Sequence, residues 1–237
     1  MRTRMIWMAT LTMLTISSQS NAITVEKSGT FGGLALQYKV VLPANYDPSR
    51  VYPTVLAFPW GSQDMRSVDS KLESNWRAEA ERRGYVIVSP AAPGGRLFFD
   101  DGAKVFPAFI EQILHDYRVQ GGKLHIAGAS NGGLSAFHIA SLYPKYFVSV
   151  LAYPGFLPEP TVAAIDALKP LCIYMYVGER DAGWLNESAK QAEQFRRRGF
   201  HVQYVVEKDQ DHGIRSLSGA GSSRLFDDLE RATKGCN

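Results

Sequence analysis

Ser130 stands in Gly128-Ala129-Ser130-Asn131-Gly132, a Gly-x-Ser-x-Gly spacing. Further along, Asp181 ends the run Gly178-Glu179-Arg180-Asp181, and His212 lies in Asp211-His212-Gly213. A serine hydroxyl is too weakly acidic to attack a carbonyl unaided. It needs a base within hydrogen-bond reach and a carboxylate that orients the base. Serine, acid and histidine in that chain order are the parts of a nucleophilic acyl transfer, provided each sits on a loop leaving a strand.

Other residues compete for two of these roles. His115 and His138 fall in helical stretches, His125 within a strand and His201 where a strand begins, so they read as packed or solvated. Glu179, Asp209 and Asp211 are rivals to Asp181. Glu179 adjoins a strand end and reads as a surface residue, while Asp211 and His212 are sequence neighbours whose side chains diverge. Asp181 is the expected acid.

A tetrahedral oxyanion needs two donors. One is the backbone N–H of Asn131, in the first turn of the helix after Ser130, where unpaired amides and the positive end of the helix dipole point. The other is expected in Pro59-Trp60-Gly61-Ser62. Pro59 has no N–H; Gly61 is the first choice because its backbone can approach a carbonyl closely, and Trp60 is the second. Trp60, Trp184, Phe98 and Phe99 come from loops at the same edge and are expected to form an aromatic substrate pocket.

Alternation of apolar residues over Ile23–Leu42, broken by Gly32-Gly33, predicts an antiparallel hairpin. Apolar runs without alternation at 54–58 and 85–88 predict buried strands, a short apolar run at 124–127 predicts another strand, and 147–152, 171–177 and 201–206 read as strands as well. Helical spacing predicts helices over 72–83, 105–117, from 131 to about 143, 162–168, 185–198 and 217–232. Strands alternating with helices make an α/β fold, with a mostly parallel sheet covered on both faces. The connections are short, so a single domain without a large cap is expected.

The chain has 237 residues, of which 45% are hydrophobic and 21% charged. Arg2 and Arg4, the apolar run Met5–Ile16 and the small residues before Ala22 predict a signal peptide over 1–22 and a catalytic domain over 23–237. Without the two leader arginines, 24 of the 26 basic residues remain against 23 acidic ones, which gives no argument for a nucleic-acid partner. No later stretch is long enough to span a membrane. Cys172 and Cys236, an even count in an exported chain, are expected to form a disulfide.

The Gly-Ala-Ser-Asn-Gly-Gly elbow, the Gly-Glu-Arg-Asp turn and the Asp-His-Gly turn resemble those of the α/β-hydrolase superfamily. Within it, the chain resembles small secreted or periplasmic serine esterases related to dienelactone hydrolases, feruloyl and acetyl-xylan esterases and the prolyl oligopeptidase catalytic domain. The resemblance implies Ser130 as nucleophile, Asp181 as acid and His212 as base, with no metal and no organic cofactor. It implies a small-molecule, carbohydrate or lipid ester as substrate. It departs from the family at Pro59-Trp60-Gly61-Ser62, where His-Gly-x-Gly is usual. An oligopeptidase and a non-catalytic binding protein are the rival readings; neither an acidic pair for a peptide amino terminus nor a cap gate is evident in the sequence.

Overall fold

A computed structural model describes residues 22–236. The predicted signal peptide therefore lies outside the described residues, apart from Ala22. The chain opens with β1 (Ile23–Phe31) and β2 (Leu34–Leu42), paired antiparallel with Phe31 opposite Leu34. The two residues between them, Gly32 and Gly33, have φ of 54° and 78°. That is the turn whose twist suits a tight hairpin, and it requires positive φ twice.

Six further strands follow: β3 (Thr54–Phe58), β4 (Val86–Pro90), β5 (Leu124–Gly128), β6 (Phe147–Ala152), β7 (Cys172–Gly178) and β8 (Val202–Glu207). They join the hairpin in one eight-stranded sheet of order β1-β2-β4-β3-β5-β6-β7-β8. β2 meets β4 antiparallel, and every pairing from β4 to β8 is parallel. All residues of β3, β4, β5 and β7 are buried, as expected of runs without polar alternation.

The buried apolar residues divide into two clusters. One holds Leu56, Ile126, Phe137 and Phe195; the other holds Val55, Trp76, Leu151 and Phe226. Successive strand residues such as Val55 and Leu56 thus feed opposite faces. The helices covering those faces are α1 (Met65–Lys71), α2 (Arg77–Arg83), α3 (Ala108–Asp116), α4 (Asn131–Leu142), α5 (Val162–Ala167), α6 (Ala182–Arg197) and α7 (Ser223–Thr233).

The largest differences from the sequence reading are at two helix starts. The helix expected from Leu72 begins at Met65, because the Asp64 carboxylate caps it by accepting from the Ser67 amide at 2.8 Å. It then passes through a π turn, Leu72–Trp76, into α2. The helix expected from Leu217 begins at Ser223; 3₁₀ turns occupy Arg215–Leu217 and Gly219–Ser222. Apolar Leu217 is buried ahead of the helix, and its helical spacing to Leu225 is coincidental.

The Cys172–Cys236 disulfide forms and closes a separation of 64 residues. It ties the segment after α7 to the start of β7. Among the described residues, no helix is long and apolar enough to cross a membrane.

Strand order directs attention to one edge of the sheet. From β3 the chain moves outward to β4, then returns to β5 on the other side of β3. At such a reversal the loops leaving adjacent strands part and open a crevice beyond the strand ends.

Candidate active site

The loop leaving β5 holds Ser130. β5 ends at Gly128 and α4 starts at Asn131, so the chain must turn within two residues. Ser130 makes the turn at φ 57° and ψ −121°, a conformation that costs energy for a residue bearing a Cβ. A Cβ on Gly128 would lie 2.0 Å from the Gly132 carbonyl oxygen, and one on Gly132 would lie 2.4 Å from that of Phe58 in β3. Glycine at both positions is therefore a steric requirement of the turn. The Ser130 amide donates to the Pro154 carbonyl at 2.8 Å, which fixes the turn against the loop leaving β6.

The loops leaving β7 and β8 bring the other two groups to this serine. His212 Nε2 lies 2.8 Å from Ser130 Oγ, and His212 Nδ1 lies 2.6 Å from Asp181 Oδ2. The Asp181 side chain is 12% exposed and that of His212 43%, so the acid is sheltered while the imidazole faces the crevice. With Asp181 accepting the Nδ1 proton, Nε2 is left free to accept the serine proton.

Two of the rival carboxylates have other partners. Glu179 accepts from the Asp209 amide at 3.0 Å, and Asp209 pairs with Arg180 at 2.6 Å. The Arg180 amide donates to the Gln210 carbonyl at 2.9 Å. These contacts fasten the Asp181 loop to the His212 loop without touching the imidazole. The Trp184 ring packs edge-on against His212, with centroids 4.9 Å apart, and against Phe156 at 5.1 Å.

The loop leaving β3 closes the other side. Among the described residues, the backbone amides of Trp60, Gly61 and Asn131 have no backbone acceptor. The Asn131 side chain donates from Nδ2 to the Gly61 carbonyl at 2.9 Å, tying this loop to the serine elbow. Gln63 is the main brace, and it was not singled out from the sequence. It is fully buried, with φ 54°. Its Nε2 donates to Ser135 Oγ at 2.9 Å and to the Pro59 carbonyl at 3.3 Å, and its Oε1 accepts from the Phe98 amide at 3.1 Å. A glutamine in a polar loop carries no sequence signal of burial.

A cavity of about 310 Å³ opens at the serine, lined by Trp60, Lys71, Ala129, Ser130, Tyr153, Pro154, His212 and Gly213. The expected aromatic pocket is thereby corrected. Phe98 is wholly buried against Phe58 and Phe106, with centroids 5.1 and 5.8 Å away, because the Gln63 bridge to its amide draws it into the core. Phe99 is half-buried, and neither it nor Trp184 lines the cavity. Tyr153 and Lys71 do, and neither was anticipated. Burial pulls the Lys71 ammonium down to about 8 from its usual 10.5.

No protein-family model matches the chain. It is 28% identical over 138 residues to dipeptidyl-peptidase 5 of Porphyromonas gingivalis, a match spanning 53% of this chain and 20% of that relative's length. Among solved structures it is similar to an S-formylglutathione hydrolase from Agrobacterium tumefaciens, at TM-score 0.67 and 18% identity, covering 91% of this chain and 98% of that one. It is similar also to a ferulic acid esterase, at TM-score 0.63 and 18% identity, covering 92% and 100%. A thermostable esterase superposes at TM-score 0.67 and 15% identity, covering 89% and 62%. Sheet order, serine elbow and these structural likenesses agree: the chain has the α/β-hydrolase fold.

Proposed function

We propose that the chain is a serine hydrolase that cleaves carboxylic esters through an acyl-enzyme intermediate. The observation that carries this reading is the unbroken run of contacts from Ser130 Oγ through His212 to Asp181 at the mouth of a cavity. His212 takes the Ser130 proton as Oγ bonds to the ester carbonyl carbon. The carbonyl oxygen gains the negative charge, and the amides of Asn131 and of Gly61 or Trp60 stabilise it. Collapse of the tetrahedral species expels the alcohol, which receives the proton from His212. Water then attacks the acyl-serine by the same route and releases the acid. Asp181 holds the imidazole in the tautomer both halves require.

The esterase and S-formylglutathione hydrolase names of the structural neighbours support this chemistry. The arginines at 2 and 4, the apolar run after them and the disulfide support export to an oxidising compartment. A second reading, peptide hydrolysis, has one observation in its favour, the match to a dipeptidyl peptidase. Both use the same triad and differ in the leaving group.

The test is turnover of p-nitrophenyl acetate, butyrate and octanoate, beside dipeptide p-nitroanilides, by the chain and by Ser130→Ala. Ester hydrolysis lost in the variant, with the anilides cleaved far more slowly, is the expected result. Preferential cleavage of the anilides would favour the peptidase. No turnover of either class would leave a binding protein on a hydrolase scaffold.

A further inference from the structure

Lys71 is the last residue of α1, immediately before the helix widens into the π turn. Wide turns of this kind are rare and concentrate where a helix presents a functional group. The lysine contributes to the wall of the cavity at Ser130 and His212. Its Nζ has two neutral neighbours, Asn75 Oδ1 at 3.1 Å and the Tyr153 ring, whose centroid is 5.1 Å away. Among the described residues no carboxylate lies within salt-bridge distance of it, although its side chain is partly withdrawn from solvent. No acidic residue lines the cavity, and burial penalises the Lys71 charge. A half-buried cation without a counter-ion costs stability. A bound anion would offset that cost.

We propose that Lys71 recognises a carboxylate carried by the substrate, so that the preferred esters are those bearing a second, ionised carboxyl group within reach of the serine. The inference rests on the ester-hydrolase reading and names the substrate class for the same site. An ammonium is a point charge with rotatable donors, suited to a carboxylate that arrives at varied angles. The Tyr153 ring supports the cation when no substrate is present. Pairing the half-buried ammonium gives selectivity against esters that lack the charge, because binding a neutral ester leaves the lysine unpaired.

Two pairs of esters separate the sources of the carboxylate. p-Nitrophenyl hemisuccinate against its methyl-capped counterpart tests a carboxylate on the acyl side. 4-Acetoxybenzoate against methyl 4-acetoxybenzoate tests one on the alcohol side. For each pair the quantity read is the ratio of kcat/KM, anionic over neutral, in the wild type, Lys71→Met and Lys71→Arg. The expected result is a wild-type ratio of about 10 or more in one pair, carried by KM, which falls about tenfold in Lys71→Met and is retained in Lys71→Arg. A ratio near one in both pairs for the wild type, or a ratio unchanged in Lys71→Met, would overturn the proposal while the ester-hydrolase reading stands. Absence of turnover of all four esters by the wild type would overturn both.

Discussion

Ser130 Oγ and His212 Nε2 lie 2.8 Å apart, although 82 residues separate them in the chain. Neither residue reaches the other through its own element. The strained turn after β5 lifts the serine, and the loop after β8 lowers the imidazole onto it. Arg180 and Glu179 hold that loop to the one carrying Asp181.

The first prediction concerns the choice of acid. Asp181→Asn keeps the size of the side chain but presents an amide that favours the wrong imidazole tautomer. The ester kcat should fall about 10⁴-fold. Glu179→Gln and Asp209→Asn remove a loop contact and leave the imidazole's partner in position, so their kcat should remain within about threefold of wild type. Steady-state kinetics on p-nitrophenyl acetate check all three.

Gln63 carries the second. Gln63→Ala strands the Phe98 amide and removes the donor to Ser135 and Pro59. Leaving buried backbone groups unpaired should cost about 3 kcal/mol in urea unfolding. The loop that bears Trp60 and Gly61 loses its internal brace, so kcat should fall more than KM rises.

His125 supplies a pH dependence. Its ring is wholly buried in β5, between Ser149 Oγ at 2.8 Å and Thr233 Oγ1 at 3.3 Å. Burial pulls it down to about 4 from its ordinary value of 6.5. Between those values the unfolded chain binds a proton that the folded chain does not, so stability rises with pH across that window and is lost as pH falls. The loss should reach roughly 3 kcal/mol at its lower end. Urea titrations from pH 7 to 4 should show this slope in the wild type, and a shallower one in His125→Gln.

The disulfide gives the fourth. In the chain-entropy treatment, closing a separation of 64 residues restricts the unfolded state by about 4 kcal/mol. Replacing Cys172 and Cys236 together by alanine, or reducing them, should lower the urea midpoint accordingly. Both residues lie away from the cavity, so the kcat of the folded protein should hold.

Much of the fold was legible because its signals are local. The apolar runs at 54–58 and 85–88 became buried parallel strands, the Gly32-Gly33 break became a hairpin turn, and the two cysteines met. Ser130, Asp181 and His212 stood out by motif and by position at strand exits, and His212 lies within hydrogen-bond distance of the other two. What lay hidden depends on distant packing. Phe98 and Phe99 looked alike in sequence, yet only Phe98 has an amide that a buried glutamine can reach. Lys71 sits in a helix with other charged residues, and nothing in that spacing says that its ammonium turns from solvent to the wall of a cavity. The closing helix began later than its periodicity implied because Leu217 is buried by a tight turn ahead of it.

The central claim is that Ser130 is a nucleophile activated by His212. Its most direct test is reaction of the folded protein with a fluorophosphonate, followed by peptide mass spectrometry. The account predicts one adduct per chain, on the peptide containing Ser130, abolished in Ser130→Ala and strongly slowed in His212→Ala. An unlabelled Ser130 in the folded wild-type protein, or labelling undiminished in His212→Ala, would contradict it.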